Sequence, residues 1–503
     1  MDLLSGLALG LTTAVSIEGL LFCFVGVTVG MFIGVLPGIG PLAAVAMLLP
    51  VTYHLEAMSA LIMLAGIFYG AQYGGSTASI LLNLPGTSTS AVTALDGYPL
   101  TQQGRAGVAL FVTTITSFVG GCIAIVLLMS FAPALGQMAL KFSSAEYFSI
   151  MVLGLIAAAT MSLGNPLKGV ASVLAGLLLA MVGMDTTSGT IRYTFGILEL
   201  QDGLNLVAMA MGLFGVAEIL KNAGTPERDP SKVAKVGMRD LMPTRADMKQ
   251  TWKPTLRGAT IGSFIGVLPG AGPTLAAFMA YAMEKRVAKD PSRFGKGAIE
   301  GISAPEAANN ASTQAAFIPT LALGIPGDAA MAVLLGAMLI HGIQPRPEFF
   351  TTNADLFWGL VVSFWIGNVM LLVLNIPLIS VWVRILTVPK KYLYPSVIFF
   401  ICIGVYSVNN NPFDVLMVII FGMVGYVMNA FQYPTAPLLM GFILGPLLEQ
   451  HFRRALLFSR GDITTFIDRP ISAVFLALAV LLIFSIAFPA LRRRAALGKT
   501  KTR

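Results

Sequence analysis

Residues 34–41 read GVLPGIGP and residues 266–273 read GVLPGAGP, so seven of eight positions are identical at an offset of 266 − 34 = 232. Pro removes a backbone donor and Gly admits left-handed φ, so PGxGP cannot continue a helix. A second pair follows in the same order. Leu84-Pro85-Gly86-Thr87 is echoed by Ile325-Pro326-Gly327-Asp328, at an offset of 326 − 85 = 241. The difference, 241 − 232 = 9 residues, fits an insertion in the charged loop 284–296. Further on, Asp96-Gly97 aligns loosely with His341-Gly342. The chain therefore reads as two related halves, each broken twice.

Around these breaks the chain is apolar. Of its 503 residues, 56% are hydrophobic and 11% are charged, against about 25% charged in soluble domains. Lipid accepts such an exterior and water does not, so the expected fold class is an all-α polytopic membrane protein. Segments of suitable length lie at roughly 57–73, 106–133, 146–162, 167–183 and 204–221, then at 297–314, 356–386, 393–408, 413–430, 434–449 and 471–490. Four other apolar stretches, 17–52, 75–98, 257–283 and 316–341, break at Pro-Gly. The arms of 257–283 hold about a dozen residues each, too few to cross singly. All four stretches are read as re-entrant hairpins, giving about 11 crossings plus four hairpins.

The formal net charge of +8 is concentrated. No Lys or Arg precedes Arg105, nine lie between Lys221 and Arg257, and six follow the last apolar segment from Arg492 onward. By the positive-inside rule, residues 222–256 and 491–503 belong in the cytoplasm and the N-terminus outside. These runs act as orientation signals, so no nucleic-acid partner is expected. The expected organisation is a first membrane repeat at 1–221, a basic cytoplasmic linker at 222–256, and a second repeat at 257–449. Residues 450–503 hold a loop, a final membrane helix and a basic tail. Five crossings in the first repeat would invert the second. One loop opposes this scheme: Arg453, Arg454, Arg460 and Arg469 fall outside. Met1-Asp2-Leu3 lacks a basic n-region, so the first segment is expected to be retained.

Broken backbone at membrane depth leaves N–H and C=O groups that protein, water or ligand must satisfy. Helix N-termini offer donors and partial positive charge to a carboxylate, and helix C-termini offer carbonyls to Na+. The expected breaks are Pro37, Gly38, Gly40, Pro85, Pro269, Gly270, Gly272 and Pro326. Around them lie hydroxyls, amides and one acid: Ser76, Thr77, Asn83, Gly86, Thr87 and Ser88 in the first half, with Asn309, Asn310, Gly327 and Asp328 in the second. Such groups bind a carboxylate without placing a full charge at the midplane. A solvated turn or back-bonding would equally explain the Ser/Thr run, and a helix cap or interhelical bond the Asn pair. Glu306 and Asp328 are candidate cation or proton sites, with structural salt bridging as the alternative. No resident metal or cofactor is expected; a coupling Na+ could sit near Asn83, Glu306, Asn310 and Asp328.

Other signals are weak. His54 and His451 read as loop residues, His341 and Arg346 sit at a hairpin exit, and no HExxH occurs. Cys23, Cys122 and Cys402 form no CxxC and read as buried spectators. No Walker A motif or GxSxG elbow is present, so the chain is not expected to be an enzyme and an ion gradient must supply the energy.

At this level the stretches GVLPGIGPLAAVAMLLP, YGAQYGGSTASILLNLPG, ALDGYPLTQQGRAG, FGKGAIEGISAPEAANNAS, LGIPGDAAMAVLLGAMLIHGIQP and IGVYSVNN together resemble the large membrane subunit of the tripartite tricarboxylate transporter family, TctA-type. The resemblance runs from about residue 5 to about residue 490. It implies a bacterial inner-membrane permease with two partners, a small TctB-type membrane subunit and a TctC-type periplasmic solute-binding protein. It also implies uptake of a di- or tricarboxylate coupled to Na+ or H+. One departure is Arg346-Pro347 after Ile343-Gln344-Pro345, where Gly-Pro is expected. A passive organic-anion channel is the competing class, and a membrane sensor a third.

Overall fold

The computed structural model describes residues 3–36, 40–83, 86–139, 141–160, 166–185, 188–224, 238–268, 272–385 and 389–484. Pro37, Gly38, Pro85, Pro269 and Gly270, residues 225–237 of the basic linker and the 491–503 tail lie outside the described residues.

The first half runs α1 (Leu3–Ala14), α2 (Ile17–Val35), α3 (Pro41–Thr52), α4 (Ala57–Leu82), α5 (Ser90–Gln102), α6 (Ala106–Ala139), α7 (Ser144–Thr160) and α8 (Pro166–Leu179). A two-residue hairpin of β1 (Gly183–Met184) and β2 (Ile191–Arg192) precedes α9 (Leu206–Ala210), which continues through a π-helical turn (Met211–Val216) into α10 (Ala217–Ala223). The second half runs α11 (Arg245–Val267), α12 (Gly272–Val287), α13 (Glu300–Ala315), α14 (Phe317–Leu323) and α15 (Ala329–Ile340). After α16 (Phe349–Thr352) come α17 (Ala354–Asn375), α18 (Ile379–Ile385), α19 (Lys390–Asn409), α20 (Pro412–Ala430), α21 (Thr435–Phe458) and α22 (Thr465–Asp468). A shorter apolar helix, α23, spans Pro470–Phe484.

Among the described residues, seven helices are long and apolar enough to cross a membrane: Ile17–Val35, Ala57–Leu82, Ala106–Phe131, Leu206–Ala223, Ala354–Asn375, Lys391–Asn409 and Pro412–Ala430. Phe399, Phe400, Ile419 and Met423 on α19 and α20 are exposed, the expected surface of helices facing lipid. This is an all-α membrane architecture.

The halves repeat at the level of contacts. A Cβ added at Gly26, Gly30 or Gly34 of α2 would lie 2.4, 2.4 or 2.2 Å from the carbonyl oxygens of Met63, Ile67 and Ala71 on α4. A Cβ at Gly258, Gly262 or Gly266 of α11 would lie 2.1, 2.2 or 2.5 Å from those of Ala304, Ala308 and Ser312 on α13. The glycines are related by 232 residues and the carbonyls by 241, the two offsets of the sequence repeat. Spacing of four puts three glycines on one stripe, and only glycine lets the helix backbones touch there. The insertion lies where expected: α12 outruns α3, and residues 288–299 replace the short 53–56 connection.

Four expectations need correction. First, nothing separates the 57–73 crossing from the arm that begins at residue 75: α4 continues unbroken to Leu82, because Gly74 packs on the Met31 carbonyl and gains tertiary contact in place of helix propensity. The 57–73 crossing and the first arm of 75–98 are therefore one helix. Likewise α13 and α14 join the 297–314 crossing to the first arm of 316–341. Second, α11 begins at Arg245, inside the span read as linker, where Thr244 and Asp247 form a capping box. Its arm is 23 residues, not about a dozen. Third, His341-Gly342 matches Gln103-Gly104 and not Asp96-Gly97: both pairs end a helix, with Gly104 at φ 76° and Gly342 at φ 72°. Fourth, His451 is a buried residue of α21, not a loop residue.

Two of the four arginines that opposed the charge rule are ion-paired. Arg453 pairs with Asp185 at 3.0 Å and Glu449 at 2.5 Å, and Arg469 pairs with Glu146 at 2.5 Å.

Candidate functional site

Both second breaks are built alike. Helix α4 ends at Asn83 with φ 53°, and α14 ends at Gly324 with φ 66°. In each, the left-handed residue donates its N–H four residues back, to Ser79 O and to Thr320 O, both at 3.1 Å. Such a conformation suits Gly and is tolerated by Asn. The chain then returns on itself. A Cβ at Gly86 would meet the Gly34 carbonyl oxygen at 2.7 Å and the Gly75 carbonyl oxygen at 2.8 Å. A Cβ at Gly327 would meet Ala316 Cβ at 2.8 Å and the Gly266 carbonyl oxygen at 3.4 Å. Each second break thus rests on the end of its own half's first arm.

The half-helices leaving the breaks are capped by their own sequence. Gly40 is extended and Pro41 opens α3, a position where the missing N–H costs nothing. For α5, Thr87 N–H donates to Ser90 Oγ at 3.1 Å and Ser90 N–H to Thr87 Oγ1 at 3.2 Å. Gly272 opens α12 with φ 61°. For α15, Asp328 Oδ1 accepts from Met331 N–H at 2.8 Å.

The halves meet at these breaks. Ser88 Oγ and Thr274 Oγ1 share a hydrogen bond of 2.8 Å. Ser88 and Asn83 are exposed, and Gly40, Thr274 and Asp328 half-buried, so the locus has an open polar rim. Behind it, α5 lies against α13. Thr93 Oγ1 donates to Glu306 Oε1 at 2.5 Å, and Ser117 Oγ of α6 to Glu306 Oε2 at 3.4 Å. One turn on, Asn309 Nδ2 and Oδ1, Asn310 Oδ1 and Ser312 Oγ are buried with no hydrogen-bond partner among the described residues. Buried polar groups are normally satisfied, so four such atoms on one stretch of helix offer donors and acceptors to a ligand.

The remaining candidates also make local contacts. Ser76 Oγ back-bonds to the Tyr73 carbonyl at 3.0 Å, and Ser76 and Thr77 are both 2% exposed inside α4. Asn310 Nδ2 donates to the Glu306 carbonyl at 3.1 Å. Glu306 makes no ion pair among the described residues; its carboxyl group is met by the Thr93 and Ser117 hydroxyls. Asp328 has one oxygen committed to its helix cap. Arg346 stacks over the Tyr147 ring at 5.9 Å. Among the described residues no group of three or more His, Cys, Asp or Glu is placed to hold a metal ion.

Sequence reasoning missed the role of Asp96. This fully buried carboxylate accepts at Oδ1 from the N–H groups of Gly295, Gly297 and Ala298, at 2.8, 2.9 and 2.8 Å, and at Oδ2 from Tyr281 OH at 3.0 Å. It ties α5 of the first half to the start of α13 in the second. A lone acid in an apolar helix was the available signal.

Two related helical halves, each interrupted at polar breaks inside apolar segments, define a multi-pass membrane protein built around an internal polar locus. A family model, tripartite tricarboxylate transporter TctA family, matches residues 20–440. The chain belongs to that family, which is a family of transporters. It is 47% identical over 494 residues, 98% of both chains, to an Agrobacterium vitis protein described as "uncharacterized 52.8 kDa protein in TAR-I ttuC' 3'region". It is 49% identical over 233 residues to a second Agrobacterium vitis protein, "uncharacterized protein in TAR-II ttuC' 3'region", across 46% of this chain and 96% of that one. No solved structure matches it.

Proposed function

We propose that this chain is the large permease subunit of a tripartite secondary transporter in the bacterial inner membrane, taking up a di- or tricarboxylate. A periplasmic binding protein would deliver the substrate, a small membrane subunit would complete the permease, and a Na+ or H+ gradient would drive uptake. The observation that carries this reading is the meeting of the breaks. Helices α5, α12 and α15 start there: a Cβ at Gly272 would lie 3.4 Å from Asp328 Cβ, and the Ser88–Thr274 bond joins the two halves. Helix N-termini turned toward one locus favour an anion, and hydroxyls and amides supply donors without a competing fixed charge. Asn83 and Ser88 lie on the rim of this proposed site and Gly86, Thr87 and Gly327 form the buried turns beneath it, with Asn309 and Asn310 behind. Asp328, half committed to a helix cap, suits a cation better than an anion.

The halves pair reciprocally: helix α3 packs on α15 and α5 on α12, as repeats related by a pseudo-two-fold axis do. We take that axis to lie in the membrane plane, which inverts the halves around one midplane site. Rocking or sliding of one half would then expose the site to each side in turn.

The test is uptake of labelled carboxylates by proteoliposomes holding all three components. Accumulation that depends on an ion gradient supports the reading. Failure with every di- and tricarboxylate offered removes it, and equilibration without coupling favours a passive anion channel.

A further inference from the structure

Glu306 is 1% exposed, on a helix packed against α4, α5, α6, α11 and α12. On α12, Tyr281 is bound to Asp96 and Glu284 to Arg257, and the cations Lys285 and Arg286 lie in the last turn. Only two hydroxyls reach the Glu306 carboxyl group among the described residues, Thr93 and Ser117. An ionised carboxylate without a counter-charge is strongly disfavoured at such a place. The groups around it do not supply that charge. Tyr73 of α4 lies within electrostatic reach of both Glu306 and Cys122 of α6, and neither is cationic. Asp96, one turn along α5 from Thr93, is itself an acid and is taken up by four donors. Arg257, on the neighbouring helix α11, is bound to Glu284.

Hydroxyls suit a group that changes charge. Each can donate to a carboxylate, accept from a carboxylic acid, or turn a lone pair to a bound cation. The two come from the first half while Glu306 comes from the second, so its charge state bears on how the halves meet. The orphan atoms of Asn309 and Asn310, one turn further along α13, add unused oxygen ligands and donors beside it.

We propose that Glu306 is the coupling residue: it takes up the monovalent cation, a proton or Na+, that offsets the substrate's charge, and releases it on the other side. This rests on the reading of the breaks as the carboxylate site. Asn309 and Asn310 then lie between the cation and the anion, so filling one position changes the field at the other.

The experiment compares wild type and Glu306→Gln in the complete three-component complex, reconstituted in proteoliposomes. One measurement is counterflow, the exchange of labelled for unlabelled carboxylate with no gradient. The others are accumulation driven by a pH gradient alone and by a Na+ gradient alone. Wild type should accumulate in one arm, which identifies the cation. Glu306→Gln should keep counterflow and lose accumulation in that arm, with Glu306→Asp restoring part of it. Accumulation by Glu306→Gln at the wild-type level overturns the proposal. So does loss of counterflow in a Glu306→Gln protein that reconstitutes folded, because that would put the residue in the anion site or the scaffold. Wild type without counterflow for any carboxylate defeats the carboxylate reading instead. A second variant, Thr93→Val, leaves the acid in place and removes one hydrogen bond. It should shift the half-saturating cation concentration roughly threefold or more, with the carboxylate KM unchanged. An unaltered cation dependence would also overturn the assignment.

Discussion

Ser88 and Thr274, 186 residues apart in the chain, face each other hydroxyl to hydroxyl at 2.8 Å. The contact joins the second break of one half to the first break of the other, and both side chains reach the open rim. If the halves move relative to each other during transport, this pair must separate.

A cross-link at that point should therefore stop the cycle. In a chain whose Cys23, Cys122 and Cys402 are replaced, Ser88→Cys with Thr274→Cys is expected to form a disulfide under mild oxidant. Uptake should fall to background and recover on reduction. Full uptake in the oxidised state, with the disulfide verified by mass spectrometry, would mean that this contact does not open.

The glycine stripes carry the packing. Gly30→Ala would set a Cβ 2.4 Å from the Ile67 carbonyl oxygen, and Gly262→Ala one 2.2 Å from that of Ala308. Each should destabilise the protein by about 1–3 kcal/mol through forced separation of the helices. Thermal unfolding in detergent measures this. Because the two sites are repeat equivalents, similar losses are expected, and a neutral outcome at either would contradict the packing described.

Asp96→Ala should be more damaging than either. It leaves the N–H groups of Gly295, Gly297 and Ala298 without their shared acceptor. Hydrogen bonds to a charged group are worth about 1.5–3 kcal/mol each, so loss of folded protein on size-exclusion chromatography is expected. Asp96→Asn, which keeps one acceptor oxygen, should retain more. Equal yields of wild type and Asp96→Ala would remove the residue from the scaffold.

At the start of α11, burial alone would push the Asp247 carboxyl up. The Arg105 guanidinium at 2.7 Å and the Thr244 N–H and hydroxyl together hold it below the usual carboxylate range. A depressed folded-state pKa gives stability that is present above the ordinary Asp range and lost as pH falls through the depressed value. Asp247→Asn should therefore flatten the acid limb of the unfolding curve. An unchanged pH dependence would show that the pair contributes nothing, as exposed partners often do.

How much of this could be read from the chain follows from range. PGIGP and PGAGP forbid a helix by local chemistry, so the breaks and the repeat were visible at once. Gly74-Gly75 reads as a boundary between two segments because the compensation is non-local: Gly74 packs against Met31 of another helix. Thr244 and Asp247 carried a readable cap signature, masked by the basic run around them. Asp96 was named only as an alignment mark, since its partners lie about 200 residues further on in a loop whose path no local rule sets. The orphan amides of Asn309 and Asn310 stand out only once every neighbour is placed.

The claim on which the rest stands is that the breaks are where the carboxylate binds. A single Ser88→Cys chain, otherwise free of cysteine, in the three-component proteoliposomes gives the direct reading, as the rate of labelling by a membrane-impermeant maleimide with and without transported carboxylate. Slower labelling with substrate, relieved by washing it out, is the predicted result. A rate unaffected by a carboxylate that the same vesicles demonstrably take up would contradict it.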